Sequence, residues 1–220
     1  MNAIATTMTG TARIPLWLKL AFTAFMAVLA PVYWTHYGPT NFLYFCDASL
    51  FITTVGIWTE RPLLVSIPAV GIIGSQALWV LDFACGLVGL HLTGMTDYMF
   101  DPQRPLFLRG LSLFHGWLPF LLVYLVARLG YDRRALPIWT ALAWTLMAIC
   151  YFFMPPPSPD HGIAPANIDY VWGLSDTQPQ HWMSANTWVL FEATALFAVL
   201  YLPVHLVLER RYGLDRKAPV

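Results

Sequence analysis

The sequence has few charged residues, and this shortage restricts what the protein can be. Charged residues make up 11% of the 220 residues, whereas soluble domains carry about 25%. Because 58% of the residues are apolar, a water-soluble globule is excluded. Twelve basic and twelve acidic side chains give a formal net charge of zero. The chain therefore lacks the basic surface with which proteins bind nucleic acid, and we expect no nucleic-acid partner.

Cysteine is scarce, and its spacing excludes two further kinds of site. Cys46, Cys85 and Cys150 all lie in apolar stretches, and no two of them form a CxxC pair. This pattern argues against a zinc knuckle and against a disulfide framework. Free cysteine behaves as a small apolar side chain, so we expect the three thiols to pack between helices.

Long apolar runs are what the sequence has in abundance. A helix needs about 20 mostly apolar residues to cross a bilayer. The runs predict one all-α membrane domain over residues 1–220, a bundle of six spanning helices. The third run continues to Leu92, which is too long for an untilted crossing. We therefore expect a break near Asp82 and a partly buried or re-entrant segment up to Thr96. The predicted spans are residues 15–33, 41–59, 62–82, 105–128, 135–154 and 185–208.

The basic residues predict the direction of the bundle. If the N-terminus is cytoplasmic, ten of the twelve basic residues lie on the cytoplasmic side, and only Arg104 and Arg109 lie outside. Such a bias is typical of proteins that follow the positive-inside rule. It predicts a multi-pass protein of the plasma (inner) membrane with both termini in the cytoplasm. The one long loop, residues 155–184, is then extracytoplasmic, contains six prolines, and is expected to be a functional cap or a disordered linker.

Ionisable side chains within apolar spans are costly, and they indicate function by default. In hydrocarbon they must pair with one another or line a wet cavity. Most of those in this chain are predicted to lie in the outer half of the membrane, so we expect one polar pocket open to the outside. The alternative is that they are buried pairs that hold helices together. The residues concerned are Asp47, Asp82, His91, Arg109, His115 and Glu192.

His115 is the only histidine predicted to lie near mid-membrane. An imidazole transfers protons near neutral pH better than any other side chain, so His115 is predicted to be a general base. Nucleophilic catalysis would also need a hydroxyl or a thiol beside this base. The candidates are Thr40, Cys46, Ser49 and Ser112.

A metal site is a second chemistry that the ionisable residues allow. His91 and His115, together with the intramembrane carboxylates, would supply the mixed nitrogen and oxygen ligands that suit zinc. No HExxH motif or comparable local spacing supports this hypothesis, so the identity of any cofactor stays open.

Two segments resemble a superfamily of small polytopic lipid enzymes. Residues 113–122, LFHGWLPFLL, resemble the histidine-centred fourth helix of these proteins, and residues 41–47, NFLYFCD, resemble their second helix. The superfamily comprises the androgen-induced and androgen-dependent hydrolases of branched fatty-acid esters, and bacterial YwaF-type membrane proteins are similar to them. The resemblance implies six helices with cytoplasmic ends and a catalytic histidine, here His115. Tyr44 stands where these hydrolases have a nucleophilic threonine, and Cys46 is the thiol that would replace it.

These patterns together predict a membrane-embedded enzyme that acts on a lipid or another lipophilic substrate from the outer leaflet. The reaction would be ester or amide hydrolysis or acyl transfer. Two alternatives stay open: a proton-coupled transporter that uses Asp47, Arg109 and Glu192, and a structural subunit of a membrane complex. The predicted catalytic residues are His115, Asp47, Cys46 and Glu192. The predicted substrate-binding residues are Tyr44, Asp82 and Arg109, with Asn167, Asp169, Tyr170 and Trp172 in a lid formed by the long loop.

Overall fold

The computed structural model describes residues 13–90, 92–159 and 164–214. These residues are all-helical and include no β-strand. Eight α-helices follow one another along this part of the chain: α1 (Leu16–Tyr37), α2 (Phe45–Thr59), α3 (Pro62–Leu87), α4 (Leu106–Ser112), α5 (Phe114–Leu129), α6 (Ala135–Phe153), α7 (Ala185–Ala195) and α8 (Leu202–Tyr212).

The described residues include five apolar helical segments that are long enough to cross a membrane. Three are the single helices α1, α3 and α6. The other two are composite: α4 and α5 form the segment Leu106–Leu129, and α7 and α8 form Ala185–Tyr212 through an intervening π-helical turn. α2 has 15 residues, which is about 22 Å against a hydrocarbon core of about 30 Å. The expected all-α chain is confirmed, with five to six helices that can span a membrane.

The second predicted span begins four residues too early. Residues Pro39–Leu43 form a 3-10 turn, Tyr44 is extended, and α2 starts only at Phe45. The side chain of Asn41 explains part of this local structure, because its Nδ2 donates a hydrogen bond to Asp47 Oδ2 at 2.8 Å. This contact joins the 3-10 turn to the first turn of α2. It holds the chain before α2 in a geometry that a continuous helix from residue 41 does not have.

α3 continues through Asp82 to Leu87, beyond the predicted break. The following segment folds back onto the helix, because the Asp82 carboxylate accepts four hydrogen bonds from it. The donors are the backbone N–H and the hydroxyl of Thr93, at 2.7 and 2.9 Å, and those of Thr96, at 2.9 and 2.6 Å. Asp82 is thus the anchor of the loop after α3 rather than a point where the helix ends.

α3 is the central helix, and it packs against α2, α5, α6 and α8. Two glycines bring the helices close together, as small residues do in membrane bundles. Gly56 of α2 lies against Val65, and Gly71 of α3 lies against the indole of Trp139 in α6. The outer surface is apolar: Phe120, for example, is 75% exposed. An apolar rim of this kind suits contact with lipid.

A network of hydrogen bonds closes the end of the bundle where α1 begins and α2 ends. Glu60 accepts bonds from the backbone N–H groups of Arg13 and Ile14, at 2.9 and 3.2 Å, and from Lys19 Nζ at 2.7 Å. The bond with Lys19 contributes most to lowering the pKa of Glu60 below its usual value. Glu60 therefore holds the segment that leads into α1, just before its first residue, Leu16.

The packing of Gly71 predicts a large stability difference between two similar substitutions. In Gly71→Ala the new methyl group would clash with the Trp139 indole, whereas in Gly110→Ala it would meet no atom within 4 Å. We expect Gly71→Ala to destabilise the bundle by about 1–3 kcal/mol and Gly110→Ala to leave it unchanged or slightly stabilised. Thermal melting of the purified variants in mild detergent measures the difference. Equal melting temperatures would contradict the close approach of α3 and α6.

The Asp82 anchor predicts a second stability effect. Asp82→Asn replaces a carboxylate oxygen by an amide NH2 that faces hydrogen-bond donors, so we expect a loss of about 2 kcal/mol or more. Asp101→Asn is the matched control, because the Asp101 side chain is 38% exposed and its Oδ2 lies 3.7 Å from Arg104 Nε. The same melting assay should show little change for this control. A neutral effect of Asp82→Asn would show that the loop does not depend on the anchor.

Candidate functional site

A cavity of about 350 Å³ lies at the end of the bundle where α1 ends and α2 begins. We call it the polar cavity. Its wall is formed by α1, α2, α3, α5, the Ala185–Tyr212 segment and the loop around Ala166. The volume falls in the range of small-molecule sites. Seven of the predicted site residues line it: Tyr44, Cys46, Asp47, His115, Asp169, Tyr170 and Glu192.

The other predicted site residues that the structure describes do not line the polar cavity. Asp82 holds the loop after α3, and Arg109 donates from Nη1 to the carbonyl of Met99 at 3.0 Å. The Trp172 indole packs 4.7 Å from the Tyr151 ring. His91, the predicted metal ligand, lies outside the described residues. Asn167 stabilises the long loop: its Nδ2 donates to the carbonyls of Gly173 and Ser175, and its Oδ1 accepts from the Trp172 N–H.

His115 is held by an interruption of the predicted fourth span. α4 ends at Ser112 and α5 begins at Phe114, because the N–H of Gly116 bonds to the carbonyl of Leu113 rather than to that of Ser112. The freed Ser112 carbonyl is bonded by His115 Nδ1 at 2.7 Å. A carbonyl oxygen can only accept, so Nδ1 carries the proton, and the neutral ring presents Nε2 as an acceptor. The helix break thus fixes the tautomer of His115.

Aromatic rings fix the orientation of the same imidazole. Its ring centroid lies 4.9 Å from that of Trp79 and 4.0 Å from that of Phe114, with interplanar angles of 16° and 26°. Trp79 donates from Nε1 to the hydroxyl of Tyr98 at 3.2 Å, which holds the indole in place. Among the described residues, Nε2 of His115 has no hydrogen-bond partner. A positioned imidazole with an unpaired nitrogen in a cavity wall has the geometry required of a general base.

Two carboxyl groups meet the N-terminus of α2. Asp47 lies in its first turn and accepts from Asn41 through Oδ2. Asp169 comes from the long loop and accepts from the backbone N–H of Phe45 through Oδ1 at 3.1 Å. A helix N-terminus carries partial positive charge and favours such neighbours. In each carboxyl group the second oxygen, Asp47 Oδ1 or Asp169 Oδ2, has no hydrogen-bond partner within the part of the chain that the structure describes.

Within the long loop, the described residues 164–184 are docked on the bundle. Ile168 and Val171 are buried against Met147 and Cys150 of α6. Asn167, Asp169 and Tyr170 all have positive φ, at 49°, 55° and 62°. Non-glycine residues rarely adopt this conformation, which costs energy that the surrounding contacts must supply. The strained turn places Asp169 in the wall of the polar cavity.

Asp169 is a buried acid in this turn. Burial is the largest cause that raises the pKa of Asp169 well above its usual value, and the charge of Asp47 adds to the shift. The hydrogen bond from the Phe45 N–H acts in the opposite direction. The polar cavity therefore disfavours a negative charge at this position unless a cation is close by.

Glu192 and Gln76 complete the set of free polar groups. Glu192 Oε2 and both amide atoms of Gln76 are buried and have no partner among the described residues. Glu192 lies in α7, just before the π-helical turn Leu196–Tyr201. Pro203 explains this irregularity in part, because it has no N–H to continue the α-helical ladder. Gln76 carries no charge, so the pattern of ionisable residues in the sequence does not predict it as a site residue. A lone amide in an apolar span is nevertheless a comparable signal.

Arg104 is the one cationic side chain that the described residues contribute to the cavity wall, and it too was missed. Its guanidinium lies 5.5 Å from the Tyr98 ring and its Nε lies 3.7 Å from Asp101 Oδ2. The sequence placed it in an outer loop, where basic side chains are usually solvated. Asp101 is thus an acidic neighbour of this side chain.

The candidate nucleophiles differ in their placement. Cys46 lines the polar cavity, and Ser112 does so as well, but its hydroxyl bonds to the hydroxyl of Tyr33 and to the carbonyl of Leu108. Thr40 and Ser49 are not part of the wall. Of the two candidates that line the wall, Cys46 is therefore the one whose side chain is not bonded to another side chain.

The zinc hypothesis finds no cluster of ligands. Within residues 13–90, 92–159 and 164–214, no group of three His, Cys, Asp or Glu side chains is arranged to hold a metal ion. Structural zinc sites need four ligands and catalytic ones three, so these residues do not match either kind.

The resemblance to the fatty-acid-ester hydrolases concerns residues that the fold brings together. Tyr44 and His115, the residues to which the resemblance assigns the reactive positions, both line the polar cavity. Comparison of the whole chain with protein-family models, curated proteins and solved structures found no match. The resemblance therefore stays a prediction, and the function has to be argued from the side chains of the cavity.

Proposed function

We propose that the protein is a membrane-embedded enzyme that hydrolyses an ester or amide bond, or transfers an acyl group, in a lipophilic substrate bound in the polar cavity. The observation that supports this most directly is the imidazole of His115. The Ser112 carbonyl fixes its Nδ1–H, and Nε2 has no partner among the described residues. Resting enzymes often hold a general base in this way before the substrate arrives.

His115 would act by moving one proton. As the oxygen of water, or the sulfur of Cys46, attacks the substrate carbonyl carbon, its proton passes to Nε2. The same proton then passes to the leaving alcohol or amine as the bond to the carbonyl carbon breaks. If Cys46 is the nucleophile, water repeats the cycle and releases the acyl group as an acid. In this scheme Asp47 and Glu192 are polar partners of the reacting groups.

The proposal includes an orientation and a membrane. Both termini are cytoplasmic, the membrane is the plasma (inner) membrane, and the polar cavity faces the outside. The positive-inside bias supports this orientation. Lys19 and Glu60 lie at the end of the bundle remote from the cavity, together with the basic residues Arg13 and Arg128. Substrate would then enter from the outer leaflet beneath the long loop.

A proton-coupled transporter is the second candidate. Two observations favour it. The cavity wall contains free buried carboxyl groups, which transporters use as proton sites. One of them, Glu192, lies just before the π-helical turn, and such turns are frequent at functional sites. Arg109, which the sequence suggested for this role, lies outside the cavity wall. Substrate flux in proteoliposomes that depends on a pH gradient, combined with no chemical turnover, would favour the transporter.

The third reading, a structural subunit of a larger complex, leads to a different observation. Such a subunit should copurify with partners in fixed stoichiometry in mild detergent. The free polar groups of the cavity do not favour it, because residues that merely hold helices together would be paired.

The role of His115 predicts a specific loss of turnover. We expect His115→Gln to lower hydrolysis of a lipid-ester and lipid-amide panel at least about 100-fold, because glutamine has no basic nitrogen. His36→Gln is the matched control, since His36 is exposed at the end of α1 and should keep full turnover. Purified wild type and variants are assayed in lipid nanodiscs. Equal turnover in His115→Gln and wild type would overturn the assignment of the base.

The orientation predicts which side of the membrane each end of the bundle reaches. In a background with Cys46, Cys85 and Cys150 replaced by alanine, we expect Gln178→Cys to react with a membrane-impermeant maleimide in sealed right-side-out vesicles. Arg211→Cys should react only after permeabilisation. Both positions are exposed, so accessibility within the protein does not limit either reaction. The reverse labelling pattern would contradict the proposed orientation.

A further inference from the structure

The polar cavity has more free hydrogen-bond acceptors than free donors. Asp47, Asp169 and Glu192 are 3%, 7% and 9% exposed, and each has one carboxyl oxygen without a partner among the described residues. Gln76 is 2% exposed, and neither its amide oxygen nor its amide nitrogen is bonded to any described residue. Buried polar groups are almost always satisfied in native proteins. Four such residues in one wall therefore indicate a ligand that supplies donors.

The charge of the wall narrows the chemistry of that ligand. Asp47 and Asp169 both meet the N-terminus of α2. Arg104, the cationic side chain of the wall, has an acidic neighbour of its own, since Asp101 Oδ2 lies 3.7 Å from its Nε. An anionic ligand would meet only like charge at these carboxyl groups, whereas a cation would relieve their repulsion and desolvation. The ligand is thus expected to be positively charged.

The arrangement of the carboxyl groups and the nature of the other wall residues do not favour a metal ion. The described residues contain no group of three His, Cys, Asp or Glu side chains that could hold a metal. Besides the acids, the wall includes apolar and aromatic side chains, among them those of Leu196, Leu200, Trp79, Tyr44 and Tyr170. Aromatic faces attract organic cations, and apolar side chains favour hydrocarbon. An organic cation with an apolar chain satisfies both features.

We propose that the polar cavity binds a lipophilic primary amine, whose ammonium group lies among the carboxyl groups of Asp47, Asp169 and Glu192. Its apolar chain lies along the wall formed by Leu196 and Leu200. The inference rests on the proposed function and names the substrate class, an ester or amide that carries a free amino group. An ammonium group has three N–H donors and matches a wall rich in acceptors, whereas an alcohol has one and a quaternary ammonium has none.

A binding experiment with matched ligands tests the proposal directly. Calorimetry on the purified protein in zwitterionic nanodiscs compares n-octylamine with 1-octanol, octanoate and octyltrimethylammonium, which share the chain and differ in the head group. We expect octylamine to bind at least about tenfold more tightly than each of the others. If any of the three binds as tightly as octylamine, the assignment to a primary amine is wrong.

Two substitutions identify the carboxyl groups that bind the amine. Asp169→Asn keeps an oxygen for the Phe45 N–H and removes the free carboxyl oxygen, so we expect about tenfold weaker binding of octylamine. Glu192→Gln, in a different element, should act in the same direction. Glu209→Gln is the control, because the Glu209 side chain is 40% exposed and bonds to His205 outside the cavity wall. Unchanged octylamine affinity in both Asp169→Asn and Glu192→Gln would overturn the proposal.

The His115→Gln variant separates this inference from the proposed function. It should bind octylamine with wild-type affinity, because its substitution leaves the three carboxyl groups in place. Ester turnover by the wild type without preferential amine binding would contradict the proposed amine site but not the proposed enzymatic activity. Preferential amine binding without turnover of any amino ester or amide would contradict the proposed enzymatic activity but not the proposed amine site.

Discussion

Hydrocarbon offers a polar group no hydrogen-bond partner, and this constraint governs where each polar side chain of the chain lies. Asp82 meets it completely, since four donors from Thr93 and Thr96 surround its carboxylate. His115 meets it at Nδ1 through the Ser112 carbonyl. The polar groups that do not meet it among the described residues include Asp47, Asp169, Glu192 and Gln76, and these four line one cavity. Among the described residues, five of the eleven buried side-chain atoms without a partner thus lie where a ligand in the cavity can satisfy them.

Irregular backbone supplies the geometry of this cavity. The 3-10 turn Pro39–Leu43 brings Asn41 to Asp47, and the interruption at Leu113 releases the carbonyl that orients His115. A strained turn at Asp169 and a π-helical turn after Glu192 accompany the other two carboxyl groups. Local departures from ideal helix geometry cost stability. Here they occur next to side chains of one site, which is the usual distribution of strain in functional proteins.

The sequence was sufficient for the helical class and for the approximate positions of the spans, because apolar runs of about 20 residues have few other solutions. It also indicated seven residues of the cavity wall, among them Asp47, His115 and Glu192, because ionisable groups at similar depth tend to meet. Depth alone does not determine direction around a helix, however. Asp82 and Arg109 were expected in the site, yet their partners are Thr93, Thr96 and the carbonyl of Met99. Such partners come from loops whose path no periodic pattern encodes.

Two residues of the cavity wall could not be predicted from the charged residues within the spans. Gln76 carries no charge, and the sequence places Arg104 in a loop where basic side chains are usually solvated, yet both line the cavity. The early start predicted for α2 has a similar origin: residues 41–44 are apolar enough to extend the span, but the Asn41 contact with Asp47 is a specific interaction that hydropathy does not contain. Composition therefore identifies the bundle, and individual hydrogen bonds determine the site.

The central claim is that His115 presents an unprotonated Nε2 to the polar cavity. Nitrogen-15 NMR of the protein labelled in histidine, with the His115 signals assigned by their loss in His115→Gln, tests it most directly. The hydrogen bond to the Ser112 carbonyl predicts a protonated Nδ1 and an unprotonated, acceptor-type Nε2. A proton on Nε2, whether in the opposite tautomer or in a doubly protonated ring, would contradict the proposed role as a general base.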